Sequence, residues 1–594
     1  VRPAYESIAV ALAAVVAVAP AALPGGELYL DNAPHLVELK LLAEQVLPRT
    51  LWFTGWADGP LAGFAVGELN APLAWTPVAL LVALGVPIVP IYALAVLASN
   101  VVLGLGMLRL ARRVLPAGAL VAALLAVSAP ADLYGIGGAT GGMWPFRLAC
   151  GLGLWWWSGA RGAVRDAIWL SVVLLTHTYA GVMAFCYLLI ANRRRALLPI
   201  GVAALVTAAF WGPIAFGGLT EGLRAPYPWS PMEVGLLHLV PVDVFAWQLG
   251  ALALLGGYWS LGWAVVVVVA AGWALSRSLP PLVPSIALAA VALVLLVHLG
   301  LLGPNPWRYL VAFRLGLCLL AAPWVPRALA ALLPLLALAV GWQETTRCVG
   351  SSAPVCDALE STWAALDARS PQGLVFHQDP FWKPDAPGAL AQGHVGAMIS
   401  VVTDLPVIGS WYGVTPIATV APTASDVRVM FGREEGAMLA DPEGLYARFR
   451  RLGVGSVVSV TAAFADFLDA DPRYERVSRT GPLGAWTLVD APQGAVGAAR
   501  GAVTVVSSRA GALEADVPAG PLRIRRSHHP WWTASLDGAP LELERSELGL
   551  MVAHAPGAGR LALAWTPRAR GFRWLSLVGL LVLFGAYRRS MTTV

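Results

Sequence analysis

The sequence predicts a polytopic α-helical membrane protein carrying an extracytoplasmic α/β domain, a β-sandwich and a last transmembrane helix. Three observations predict it. The 594 residues are 58% hydrophobic and 13% charged, with a mean hydropathy of +0.68, well outside soluble averages. The apolar residues gather in stretches of about twenty, the length that crosses a bilayer. Those stretches stop near residue 344 and return only at 572–587, so the interval between them reads as soluble.

About twelve crossings can be drawn. They fall near 7–24, 88–108, 116–131, 146–160, 166–177, 178–192, 196–216, 247–275, 282–302, 309–325, 328–343 and 572–587. Arg supplies nearly all the positive charge, since Lys40 and Lys383 are the only lysines. Arg2, Arg109, Arg112, Arg113, Arg161, Arg165, Arg193 to Arg195, Arg277, Arg327, Arg588 and Arg589 all land on one side. The positive-inside rule makes that side the cytoplasm. The agreement requires 71–86, with Trp75, Pro72 and Pro77, to lie along the outer face rather than cross. Spans five and six read as two half-length helices meeting near the outer surface at His177. A single continuous span would put His177 mid-membrane and Arg193 to Arg195 outside. Residues 1–24 also carry a passable signal-peptide site at Val18–Ala22, behind a thin basic region. A net charge of +5 without a basic block excludes nucleic acid as a partner.

The first outer loop, 25–86, is long, acidic and Trp-rich. It holds Asp31, His35, Glu38, Asp58 and Glu68. Carboxylates at a membrane face are costly unless they bind or react. Asp31 precedes a helical run from about 34 to 47, so it is either a helix cap or a reactive acid. His35 lies one turn on, with Glu38 beyond. Asp58, in Trp-Ala-Asp-Gly-Pro, reads as a turn residue. Arg147, Arg224 and Arg308 fall at outer ends of spans, where a guanidinium fork suits phosphate and snorkelling to headgroups is the alternative. Trp155 to Trp157 read as an interfacial belt. Gly137–Gly142 lacks the Lys-Ser/Thr of a phosphate loop, and no HExxH, CxxC pair or nucleophile elbow occurs.

In the soluble part, 345–497 reads as α/β from apolar runs at 373–377, 453–460 and 485–489. It opens on Cys348 and Cys356, which suggest a small disulfide loop in an oxidising compartment. Cys150, Cys186 and Cys318 read as fillers within spans. Residues 498–571 read as a β-sandwich, with strands near 502–507, 522–526, 531–536, 541–544 and 560–565 and turns at Asp537-Gly538 and Pro556-Gly557. His528, His529, Trp531 and Trp532 read as strand packing rather than a sugar platform. The last span is 572–594.

The order of parts is one span, a loop with Leu-Asp31-x-x-x-His35 and a Trp…Gly…Pro-Leu stretch, many spans, then an outer domain. It resembles the GT-C superfamily of membrane glycosyltransferases. The tail, His529-Pro-Trp-Trp532-Thr-Ala-Ser-Leu-Asp537-Gly538 with Ala555-Pro-Gly557, is similar to that of YfhO-like and 6-pyruvoyl-tetrahydropterin synthase-related bacterial membrane proteins. The resemblance implies a GT-C-like transmembrane domain over 1–344. It implies an enzyme that inverts a sugar from a polyprenyl-phosphate donor onto a glycan, lipid or protein acceptor, outside the bacterial plasma membrane. Asp31 is then the base, aided by His35, while Arg308, His177, Arg147 and Arg224 are candidates for the donor phosphate. Asp132 stands where some members place a metal-binding acid, so a divalent cation such as Mg or Mn is the one cofactor the resemblance allows. A non-catalytic GT-C scaffold of an envelope complex is the first alternative. A lipid or solute transporter is the second, disfavoured because the acids cluster at one face and no inverted repeat is evident.

Overall fold

The computed structural model describes residues 2–22, 32–59, 63–67, 71–128, 142–159, 162–216, 315–345 (without 317 and 320), 353–369, 373–380, 386–387, 390, 394–409, 429–430, 433–491, 496–498, 502–566 and 570–592. The membrane part contributes α1 (Arg2–Val18), α2 (Asn32–Leu41), α3 (Leu47–Thr50), α4 (Pro72–Ala83), α5 (Ile88–Val114), α6 (Ala119–Val127), α7 (Trp144–Trp157), α8 (Ala163–Thr176), α9 (Thr178–Asn192), α10 (Leu197–Val206), α11 (Ala208–Phe216) and α12 (Arg327–Thr345). Among the described residues three helices are long and apolar enough to cross a bilayer: Ala4–Ala22, Ile88–Val114 and Gly571–Arg588. The other expected spans are shorter helices here, or lie outside the described residues, as 247–275 and 282–302 do.

One end of the bundle is pinned by arginine. Arg112 Nη2 reaches Glu6 Oε2 at 2.9 Å, Arg113 Nη1 donates to Gly159 O at 2.9 Å, and Arg109 stacks over Trp155. These contacts bring the start of α1 and the ends of α5 and α7 together. At the other end, Tyr92 on α5 meets Asn32 and Trp144. Helices α5 and α7 therefore run side by side, and glycine lets them touch. A Cβ on Gly106 would lie 2.4 Å from Gly151 O, and one on Gly151 would lie 2.6 Å from Leu103 N.

Several helices stop short of a full crossing. Twelve-residue α4 is about 18 Å long at 1.5 Å per residue, shorter than the roughly 30 Å hydrocarbon core. Helix α6 has nine residues and ends against the middle of α5, where Gly104 accommodates Val127. Helices α8 and α9 double back at His177, whose backbone is extended (φ −162°, ψ 127°). Gly181 packs directly on Leu174 to close that turn. At 14 residues α8 is about 21 Å long, so its turn falls short of the roughly 30 Å hydrocarbon thickness.

The α/β domain holds α13 (Ala353–Asp367), α14 (Ile399–Val402), α15 (Glu435–Leu439), α16 (Pro442–Leu452) and α17 (Ala462–Ala470). Its sheet has the order β4-β3-β7-β9-β8, from β3 (Leu374–His377), β4 (Val407–Ile408), β7 (Val454–Ser459), β8 (Tyr474–Thr480) and β9 (Leu483–Leu488). The first three strands are parallel, and β9 and β8 continue antiparallel. Helix α16 shows why the pieces fold locally. Asp441 caps its start by accepting from Gly444 N at 3.0 Å, and Gly453 (φ +82°) ends it before β7. Phe376, Phe449 and Phe464 fill the core between sheet and helices.

After a short hairpin of β5 (Val429–Met430) and β6 (Arg433–Glu434) in the α/β domain, the last domain contributes β10 (Val496–Ala498), β11 (Thr504–Arg509), β12 (Ala512–Val517), β13 (Gly520–Ser527), β14 (Trp532–Leu536), β15 (Ala539–Leu541), β16 (Glu544–Arg545), β17 (Leu550–Ala555) and β18 (Gly559–Trp565). They form a sandwich of two antiparallel sheets, β10-β13-β17-β16 and β11-β12-β18-β14-β15. Asp537 (φ +49°) and Gly538 (φ +84°) make the two-residue hairpin between β14 (Trp532–Leu536) and β15 (Ala539–Leu541). From the sandwich the chain enters α18 (Arg570–Thr592), which packs on α10 and α11. There Ala209 N donates to Ser576 Oγ at 2.8 Å.

Candidate functional site

The end of the bundle opposite Arg112 and Arg113 is built on α2. Asn32, His35 and Glu38 recur one helical turn apart, and all are at least 90% buried. Tyr92 OH donates to Asn32 Oδ1 at 2.9 Å. The His35 ring lies 4.9 Å from Trp75, and Trp75 lies 5.1 Å from Trp144, which also meets Tyr92 edge-on. His35 Nδ1 stands 3.7 Å from Glu38 Oε2, too far for a hydrogen bond. The helix thus sets a polar face on an aromatic floor immediately after Asp31. A cleft of about 10 Å³ opens beside Glu38, lined by Phe53, Gly67, Trp75 and Thr76. That volume admits about one water and no sugar. Thr76 Oγ1 and Trp144 Nε1 are buried without a hydrogen-bond partner.

Half-way down the bundle lies a second polar centre. The last four carbonyls of a helix lack partners within it, and in lipid each unsatisfied one costs several kcal/mol. Helix α6 ends inside the bundle, buried against α5 and α7, and all four are met. Ser128 Oγ donates to Leu124 O at 2.5 Å and Ser128 N to Leu125 O at 3.3 Å. Arg147 Nη2 donates to Ala126 O and Asn100 Nδ2 to Val127 O, both at 3.3 Å. Asn100 also donates to Ala14 O at 2.7 Å and accepts from Arg147 Nε at 2.7 Å. The cation faces the negative end of the α6 dipole. Arg147 lies in the first turn of α7, against the middle of α5, and is 3% exposed. Its neighbour Phe146 meets His177 with the rings tilted and 4.7 Å apart, which brings the α8–α9 turn against the start of α7.

The segment that follows α2 ties this bundle to the sandwich, as Lys40 of α2 does to the α/β domain. Strands β1 (Gly55–Ala57) and β2 (Phe64–Val66) form a hairpin whose Trp56 enters the sandwich core, edge-on to Trp532 at 4.9 Å. Asp58 accepts from Trp56 Nε1 at 2.9 Å and from Arg526 Nη2 at 3.0 Å. Asp58 is therefore a strut between loop and sandwich. His529 packs: its Nδ1 accepts from Trp531 N and Trp565 Nε1. In the α/β domain, polar groups collect at the ends of β3 and β7. Gln378 Oε1 accepts from Val460 N and Thr461 N, and His394 Nδ1 lies 2.9 Å from Asp379 Oδ2. Burial holds the His377 imidazole down at about 4, against the ordinary 6.5. Trp363 Nε1 donates to its Nε2, so Nδ1 carries the proton given to Gln378 O.

The structure brings His35 and Glu38 together, while His177 meets Phe146 and Arg147 meets Asn100. Asp31, Glu68, Asp132, Arg224, Arg308 and Cys348, the expected partner of Cys356, lie outside the described residues. Among the described residues no three His, Cys, Asp or Glu side chains are arranged to hold a metal ion. Sequence reading passed over Asn100, Asp379 and His394. Asn100 carried a signal, being a polar side chain in the middle of an apolar span.

No family model matches the chain, and neither does any curated protein sequence. Among solved structures, the chain is similar to the arabinofuranosyltransferase AftD from mycobacteria, determined by cryo-electron microscopy. The identity is 12% and the TM-score 0.45, over 95% of this chain and 59% of that one. The chain thus spans under two thirds of that protein, and a likeness at this level does not fix the fold.

Proposed function

We propose that the chain is an inverting glycosyltransferase of the GT-C type, moving a sugar from a polyprenyl-phosphate lipid to a glycan, lipid or protein acceptor of the bacterial envelope. Asp31 takes the proton of the acceptor hydroxyl as its oxygen attacks the anomeric carbon. The bond to the lipid phosphate breaks with its electron pair on the phosphate, and Arg308, with His177 or Arg224, holds that charge. Arg147 is left out of this set, because its guanidinium caps α6. The outer domains present the acceptor.

One observation carries the reading: the buried Asn32–His35–Glu38 face, set on Trp75, Tyr92 and Trp144 directly after Asp31. Polar groups held at a membrane boundary are costly and point to function. A second reading is a non-catalytic scaffold of the same architecture. Incubating wild type and Asp31→Asn with polyprenyl-phosphate sugars separates the two, since only the enzyme consumes donor and only its wild-type form does so.

A further inference from the structure

Lys40 is one of two lysines in a chain whose other basic side chains are Arg or His. It sits in the last turn of α2 with its side chain 14% exposed. An ammonium has three N–H donors, and three acceptors converge on this one: Ser400 O at 3.3 Å, Val401 O at 3.2 Å and the Asp404 carboxylate. All three belong to the α/β domain. The carbonyls come from the end of α14, where the helix carries partial negative charge. Asp404 has φ +62°, which turns the chain towards β4.

This shelf is held from both sides. His394, at its start, pairs with Asp379 beyond the end of β3. Ser400 Oγ donates to Leu405 O at 2.5 Å, and Val375 N of β3 donates to Pro406 O at 2.8 Å. The turn Val395–Met398 packs along α2. Lys40 therefore joins a braced piece of the outer domain to the helix that carries Asn32, His35 and Glu38 and follows Asp31.

We propose that Lys40 is a positioning residue, a latch that sets where α2 and the acid before it stand relative to the outer domain. Its effect on turnover rests on the transferase reading; its effect on α2 rests on geometry alone. A compact ammonium serves three converging acceptors, whereas a planar guanidinium fork is built for bidentate partners. That difference accounts for a lysine here in an arginine-rich chain.

The test uses the full chain in nanodiscs as wild type, K40M, K40R, D404N and K40M/D404N, with hydrogen exchange and donor turnover as readouts. K40M should speed exchange of 32–41 and 395–402 about tenfold while β7 stays protected, which excludes global unfolding. It should lower kcat about ten- to a hundredfold, the scale of an ångström-level misplacement, with KM for the lipid donor little changed. K40R should recover part of the loss, and the double variant should be no worse than K40M. Unchanged exchange would overturn the latch, and so would faster exchange with unchanged kcat. If wild type turns over no donor, the transferase reading fails, and the exchange arm alone decides the latch.

Discussion

Replacing Asn100 with Ala removes the keystone of the mid-bundle cap. Three hydrogen bonds go: to Ala14 O, to Val127 O and from Arg147 Nε. They are not equal. Ala14 O lies inside α1, four residues from its end, so it keeps a helical partner and its loss is small. Val127 O is a terminal carbonyl, and leaving it bare costs about 1–3 kcal/mol. The bond from Arg147 is charge-assisted, worth about 1.5–3 kcal/mol. Ordinary interhelical bonds in membranes average only about 0.6 kcal/mol, so three of those would total about 2. The cap predicts more, about 3–5 kcal/mol, because the substitution takes one partner from a buried cation and one from a helix-end carbonyl together. The assay is reversible unfolding in detergent, with Ser99→Ala as control, since Ser99 Oγ bonds only its own helix at Val96 O. Hydrogen exchange of α6 should rise in the Asn100 variant and not in the control. A loss under about 1 kcal/mol, or one equal to that of Ser99→Ala, would refute the cap.

Trp56→Ala should destabilise the sandwich by about 3–5 kcal/mol, the range for a buried large aromatic, measured by thermal unfolding against Asp58→Asn, which should lose less. His377 predicts an acid-side loss in the α/β domain. Its folded pKa of about 4 lies below the ordinary 6.5, so the unfolded chain takes up a proton that the native state refuses. Stability from this group is constant above pH ~6.5, falls as the pH drops through the interval, and is down by about 3 kcal/mol near pH 4. The wild-type-minus-His377→Gln difference in unfolding midpoint should follow that curve; a flat difference between pH 7 and 4 would contradict it.

Short apolar runs were legible: the stretches at 373–377, 453–460 and 485–489 became β3, β7 and β9, and Asp537-Gly538 became the hairpin turn. Strand β8, Tyr-Glu-Arg-Val-Ser-Arg-Thr, was not, because it is an exposed edge whose polar residues carry no alternation. The arginine pattern placed the bundle's two ends. Hydropathy ran short of the helices Ile88–Val114 and Arg570–Thr592 and past the end of α6, because Ala- and Val-rich sequence does not mark where a helix such as α6 stops, at residue 127. What ends α6 there is a set of partners from α5 and α7 that no local window contains. Asp58 was readable as a turn residue from Asp-Gly-Pro, but its ion pair with Arg526 joins residues 468 apart. At the candidate site the polar residues of α2 were legible by spacing. Their aromatic floor was not, since Trp75, Tyr92 and Trp144 meet only on folding.

The central claim is that the acid preceding α2 does chemistry on a lipid-linked sugar. Loss of donor, followed by mass spectrometry on purified wild type and Asp31→Asn with a panel of polyprenyl-phosphate sugars, tests it directly. The account predicts consumption of one donor by wild type and a loss of at least about a hundredfold in the variant, the scale of a missing general base. Equal consumption by both proteins, or none by either with no donor bound, would contradict it.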